Sequence, residues 1–215
     1  MLFDFHFHLT TLCYNGKQMP YPTKDEFIGL LKTRKHSELV DEYLLTGIPY
    51  AFDSIPASYD LLKTTLAAEF RSGPDDISVV GSGRIGFSLD PEKYGNPYTP
   101  NVSDIDTIVV NSKMFDIAWY QMCSKRSRSI LSLEWRVKES LAEHRRNNIY
   151  FGYIQPDRLT GAITLSPLWF RTFKGLARIP ALAPFDIHGR LYRTWEHVKI
   201  HQLYSLDSIV SKLGL

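Results

Sequence analysis

Val79-Val80-Gly81-Ser82-Gly83-Arg84-Ile85-Gly86, followed further on by Ser103-Asp104-Ile105-Asp106-Thr107-Ile108-Val109-Val110, is the stretch on which the reading of this chain turns. Ile77 to Val80 is short, largely β-branched, and stops at Gly81-Ser82-Gly83, the pattern of a buried strand running into a loop over residues 77–82. Ile105 to Val110 repeats the pattern, with Thr107, Ile108, Val109 and Val110 all β-branched. Between the two lie Gly86, Pro91, Gly95, Pro97 and Pro100, which forbid a helix or a central strand, so Phe87 to Asn101 reads as an inserted loop.

Outward from this centre, the spacing of Tyr59, Leu62, Leu66 and Phe70 predicts a helix before the first strand, with Ser54 and Pro56 suited to its start. Earlier helices are expected from Thr23 to Leu31 and from Ser37 to about Leu44, beyond turns at Asn15-Gly16 and Pro20-Tyr21-Pro22. After Asn111-Ser112 a helix carries Met114, Phe115, Ala118, Trp119 and Met122 on one face, and a more charged one runs from Ser129 to Arg146. A short extended segment over 149–154, a helix from Pro167 to Ile179 and a strand from Phe185 to Tyr192 follow. Ser205 is expected to open a last helix with Leu206, Ile209, Val210 and Leu213 as its stripe. Helices alternating with few strands give an α+β class, α/β-like, with a small mixed sheet backed by helices. Residues 1–36 read as an N-terminal extension and 37–215 as the main domain.

Composition narrows the function. The 215 residues are 44% apolar and 22% charged, which suits one globular unit with a real core. A net charge of +2 offers no global field for nucleic acid or membrane, so any such partner meets a local patch. Cys13 and Cys123 match no zinc or redox spacing and read as reduced thiols of a cytoplasmic protein. No apolar run reaches the roughly 20 residues that span a bilayer, and Asp4, His6 and His8 stand where a signal peptide is apolar.

Asp104 and Asp106 are two apart on a strand and therefore project to one face, while Ile105 points to the other. Side-by-side carboxylates repel, an arrangement that makes sense around Mg²⁺ or Mn²⁺, whose preferred ligands are hard oxygens. Gly81-Ser82-Gly83 supplies the complement, because bare backbone can approach an anion and Ser82 adds a hydroxyl. Anion on one side and cation on the other describe a nucleoside triphosphate site.

On these residues the chain resembles the DNA polymerase β-type nucleotidyltransferase superfamily, whose signature is Gly-Ser after one strand and Asp-x-Asp on the next. Gly81-Ser82-Gly83-Arg84-Ile85-Gly86-Phe87-Ser88 with Ser103-Asp104-Ile105-Asp106 is similar to small bacterial proteins of that kind, several associated with antiphage defence or toxin–antitoxin loci. The motif covers residues 77–110, with weaker similarity from about Glu38 onward. The resemblance implies a minimal nucleotidyltransferase fold with helical additions at both ends. It also implies transfer of an NMP or dNMP from an NTP or dNTP to a hydroxyl, with pyrophosphate released. Gly81 and Ser82 would take phosphate, and Asp104 and Asp106 would take two Mg²⁺ ions.

Two departures accompany the resemblance. Residues 83–103 separate Ser82 from Asp104, more than the superfamily's usual spacing, so the proline-rich loop must bulge from the site. The third acid is not marked: Asp186 has the best position, followed by Glu196 and Asp157. Arg84 and Arg190 are candidate phosphate contacts, with Arg193 beside Arg190, although solvated charge is the plainer account of each.

Lys125, Arg126, Arg128, Arg136, Lys138, Arg145 and Arg146, with Trp135 among them, could follow a nucleic-acid backbone or form a solvated helix face. Trp119, Trp169 and Trp195 lie on apolar faces and read as core. His6 and His8 form a His-x-His of the kind found in TatD-like metal hydrolases, but no later ligand series completes it and such barrels are longer. His197 and His201, four apart, read as helix-surface residues. The acceptor stays open among a growing oligonucleotide signal, an RNA end such as that of a tRNA, and a partner or toxin protein. A non-catalytic nucleotide- or partner-binding module is the reading from another class.

Overall fold

The computed structural model describes residues 21–125 and 127–215, so the His6/His8 strand, Cys13 and the Asn15-Gly16 turn lie outside the described residues. Among them the chain is a mixed α+β structure around a four-stranded sheet of order β1-β2-β4-β3: β1 Ile77–Val80, β2 Ile105–Val110, β3 Tyr153–Ile154 and β4 Ile187–Tyr192. β1 runs antiparallel to β2, β2 parallel to β4, and β3 antiparallel to β4. The helices are α1 Lys24–Thr33, α2 His36–Leu39, α3 Pro56–Phe70, α4 Ser82–Ile85, α5 Ser112–Ser124, α6 Ser127–Leu131, α7 Trp135–Glu143, α8 Ser166–Leu176 and α9 Trp195–Leu213. None is long and apolar enough to cross a membrane.

The sheet's alternation sorts its side chains into two layers. Ile105, Val109, Ile187 and Leu191 join Leu62, Leu66 and Phe70 of α3, Phe115 and Met122 of α5, and Trp169 of α8 in the main core. Trp169 stacks on Phe70 at 4.7 Å between ring centroids, and burying such a ring is worth roughly 3–5 kcal/mol against its truncation to alanine. Gly189 leaves the gap that the ring of Phe173 fills; a Cβ there would lie 2.1 Å from that ring. On the other face Val80, Ile108, Val110 and Tyr192 pack on Val198 of α9. The far half of α9, through Leu206 and Ile209, meets Phe27 and Leu31 of α1, Leu39, Ile85, Phe87 and Leu89. The described part of the N-terminal extension is thus built into a shared core.

Several local expectations are corrected. Strand β1 ends at Val80 rather than at residue 82, because Gly81 turns the chain directly into α4. Ser54 does not cap α3; Ile55 occupies that position and Pro56 takes the first turn. α9 begins ten positions before Ser205, its buried line continuing through Val198 and Gln202. Trp119 is 43% exposed instead of internal, and Trp195 is only partly covered, whereas Trp169 is buried as expected. Cys123 is a free, exposed thiol. The 87–101 loop does not stand free: Tyr94 Oη donates to the Lys24 carbonyl, Lys212 pairs with Glu92 at 2.6 Å, and Phe87 and Leu89 are buried.

Candidate functional site

Gly81 adopts φ 71, ψ −153, a conformation essentially confined to glycine. A Cβ at this position would lie 3.1 Å from Oδ2 of Asp106. The register explains the proximity: Val80, the last residue of β1, is opposite Asp106, so the turn that follows folds onto the carboxylate. Structure therefore brings Gly81, Ser82 and Asp106 to one end of the sheet, with exposed Asp104 two residues before Asp106. Gly83 is buried against Ile105 and Val79 and serves packing.

Asp106 is 32% exposed in its side chain and its one ion-pair neighbour among the described residues is Arg190, at 3.7 Å. Burial raises its pKa above the usual carboxylate value; Arg190 opposes that rise, Asp104 adds to it, and His188 opposes it. This is a crowded carboxylate whose negative charge is incompletely matched. Two carboxylates with no closer partner, beside a turn that can receive an anion, fit Mg²⁺, which is commonly held by one or two carboxylates plus substrate phosphates. Among the described residues, no three His, Cys, Asp or Glu side chains gather closely enough to hold a metal by themselves.

The other sequence candidates separate. Asp186 sits just before β4, and its carbonyl accepts from the Ile105 N–H at 2.7 Å, which places it beside Asp104 in the parallel pair. Its carboxylate is 80% exposed and pairs with His188 Nε2 at 3.2 Å, and His188 is the residue aligned with Asp106. Asp186 is thus near the pair but outside any cluster of three carboxylates. Glu196 lines a cleft with Ile77 and Val110 at the opposite end of the sheet, and Asp157 is exposed in the turn Pro156–Leu159.

Arg84 is not a phosphate contact. It is 1% exposed and donates from Nε to the Tyr43 carbonyl at 3.3 Å, from Nη1 to the Gly47 carbonyl at 2.9 Å, and from Nη2 to the Thr46 carbonyl. These carbonyls lie in and just after the π-helical segment Val40–Leu45, so Arg84 ties α4 to that segment. In the basic stretch, Arg126 and the side chain of Arg128 lie outside the described residues. Lys125 and Arg145 donate to the carbonyls of Gly161 and Met122, and Arg136 covers the exposed ring of Trp135. Arg193 pairs with Asp116 at 2.9 Å.

Reading one residue at a time missed an aromatic group on the site's face. Arg190 lies over the ring of Tyr153 at 5.8 Å, and Tyr153 is stacked on His201 at 4.9 Å with 6° between planes. His201 Nδ1 is 2.6 Å from Tyr192 Oη. His201 is no surface histidine: burial pushes its pKa down to about 4, with Arg190 acting in the same direction. His144, fully buried, donates from Nδ1 to the Ser140 carbonyl and accepts at Nε2 from the Gln155 N–H, and burial lowers its pKa too. The detectable signal was period two along β4, which puts His188, Arg190 and Tyr192 on the face of Asp106.

The two neutral histidines set an acid limit on the fold. Unfolded histidine titrates near 6.5, so below that pH the unfolded chain binds protons that the folded one refuses. Stability is full above about pH 6.5 and falls as pH drops, with His201 contributing down to about pH 4. The loss at that pH is on the order of 2–3 kcal/mol from His201 alone. Melting temperature measured from pH 7 to 4 should fall more steeply for the native protein than for H201Q; parallel curves would remove His201 as a cause.

Comparison of the chain with protein-family models, with curated proteins and with solved structures finds no match.

Proposed function

We propose that the chain is a Mg²⁺- or Mn²⁺-dependent nucleotidyltransferase, moving an NMP or dNMP from a nucleoside triphosphate to a hydroxyl acceptor. The observation that carries the reading is the contact between the Gly81 turn and Asp106, which makes a phosphate on the turn and a cation on the carboxylates immediate neighbours. Gly81 and Ser82 would hold the β,γ-phosphates, and a side chain at position 81, strained by the positive φ, would press on Asp106. Asp104 and Asp106 would hold the cations, and Arg190, 3.7 Å from Asp106, adds positive charge beside them. Two ions bound there supply neutralisation of the charge that grows on the attacking and leaving oxygens. The acceptor oxygen attacks the α-phosphorus in line, the bond to the bridging oxygen breaks, and pyrophosphate departs. The Asp186–His188 pair, which the strand register sets beside Asp104 and Asp106, would take the acceptor's proton.

A second reading, a nucleotide-binding module without turnover, is favoured by the pairing of Asp186 with His188 rather than with the carboxylate pair. Incubation of the pure protein with each labelled NTP and dNTP, with and without Mg²⁺, separates the two. Pyrophosphate release with ladders indicates an oligonucleotide product, and label on added RNA or on a co-purified protein identifies that acceptor. Saturable nucleotide binding without pyrophosphate supports the module. Absence of both binding and turnover removes the proposal, and with it any role in antiphage defence or a toxin–antitoxin pair.

A further inference from the structure

The aromatic group on the site's face does not stop at His201. Phe151 stacks on that imidazole at 5.3 Å, meets the ring of Tyr204 at 5.0 Å and stands edge-on to Tyr150 at 5.3 Å. Arg190 lies over Tyr153, which is stacked on His201, so an unbroken line of rings starts beside Asp106 and ends at Tyr150 and Tyr204. These end rings face water: Tyr150 is 82% exposed and Tyr204 57%. Ile200, one turn before Tyr204 on α9, is exposed as well, so the apolar surface is a patch and not a scattered residue. Gly152 makes the arrangement possible, because only a residue without a Cβ lets the chain pass against the His197 ring and lay this segment along α9.

Charge around the patch has one sign. Residues 144–155, 187–193 and 197–206, which carry these rings, hold Arg145, Arg146, Arg190, Arg193 and Lys199 and no aspartate or glutamate, in a chain whose 25 basic and 23 acidic residues nearly balance. Arg193 and Lys199 are paired with Asp116 and Asp41. Arg145 and Arg146, just ahead of Tyr150, donate to backbone carbonyls and have no carboxylate partner among the described residues. Open rings bordered by unmatched cations suit phosphates strung between unpaired bases, since every base has a face that can stack. A duplex does not fit, because its bases are already stacked and paired. We propose that Tyr150 and Tyr204 form a stacking platform for a single-stranded nucleic acid, whose phosphates meet Arg146 and whose hydroxyl end passes Arg190 to reach the Asp104–Asp106 pair. The inference rests on the transfer reaction proposed above and selects a single-stranded nucleic acid as its acceptor.

The experiment is fluorescence anisotropy of labelled oligo(U) and oligo(dT), each about a dozen nucleotides long, titrated with the metal-free full chain, with a duplex of the same length as control. The native protein should bind the single strands and discriminate against the duplex; tighter binding of oligo(U) assigns an RNA acceptor, and of oligo(dT) a DNA one. Y150A and Y204A should each bind roughly five- to thirtyfold more weakly, whereas Y150F and Y204F, which keep a ring to stack on, should stay close to native. R146Q should flatten the slope of log affinity against log salt by about 0.7, the share of one phosphate contact. D104N/D106N should bind at least as tightly as native, because stacking needs no cation. Unchanged affinity in Y150A/Y204A, or a duplex bound as tightly as the single strands, overturns the proposal. So does a dimer in sedimentation velocity that Y150A/Y204A turns into monomer, since the patch is then a contact between copies. The two readings fail separately. Oligonucleotide bound through the tyrosines without transfer removes the reaction and leaves the platform; label passed to oligonucleotide equally by native protein and Y150A/Y204A keeps the reaction and removes the platform. Should Y204A unfold, Y150A decides alone.

Discussion

Asp106→Asn is expected to lower nucleotidyl transfer by about a thousandfold or more, while raising the melting temperature of the metal-free protein. The first effect follows from removing an anionic ligand from a centre that stabilises developing charge by several kcal/mol, each 1.36 of which is tenfold in rate. The second follows from the raised pKa of Asp106, caused first by burial. A carboxylate whose folded pKa is raised favours the folded state only while protonated, and stability falls as pH climbs through that value. At neutral pH the ionised Asp106 is therefore a cost that an isosteric amide removes. A gain of about 2–4 °C corresponds to about 1 kcal/mol in a domain of this size. Mg²⁺ should raise the melting temperature of the native protein and leave that of the variant unchanged. Asp104→Ala should likewise abolish transfer and leave the fold intact. Retained turnover in either folded variant would refute the assignment of the pair.

Arg84→Met is expected to be the most damaging single change to the region behind the site. It keeps the apolar stem of the side chain but strands the carbonyls of Tyr43, Thr46 and Gly47, which together receive the guanidinium in a buried setting. Leaving a buried acceptor unpaired costs about 1–3 kcal/mol, so a total of about 3 kcal/mol or more is expected, or some 6–12 °C in melting temperature. R84K should recover little, because one ammonium cannot span three carbonyls that a planar fork serves together. Calorimetry on the purified variants reads this directly, and a melting temperature unchanged in R84M would show that the carbonyls find other partners. Because α4 continues from the Gly81 turn, the same variant should also weaken nucleotide binding.

Glycine and β-branched clustering made β1 and β2 legible, since both signals act over four to six residues and need no distant partner. The Asp-x-Asp face was legible for the same reason, period two being a property of any strand. Arg84 was misread because a basic residue in a glycine-rich turn looks the same whether it faces phosphate or a distant carbonyl. What decides it is the end of the segment Val40–Leu45, some forty residues away in sequence. α9 was entered too late because Gln202, polar by type, is buried and His201 is partly covered by its stack on Tyr153. Trp119 was read inward by helical spacing, yet it sits at the margin of the buried side of α5, 43% exposed.

Local composition thus determined where two of the strands run, where the chain must turn, and that two carboxylates share one face of a strand. Those features depend on the steric limits of glycine, proline and branched side chains, which each residue carries with it. Only the assembled sheet decided that the Gly81 turn lies close against Asp106, that His188 rather than an acid stands opposite it, and that Arg190 lies over the ring of Tyr153, 3.7 Å from Asp106. These are matters of register and of packing between segments far apart in the chain, and a register shifted by one residue would have turned every one of these side chains to the other face.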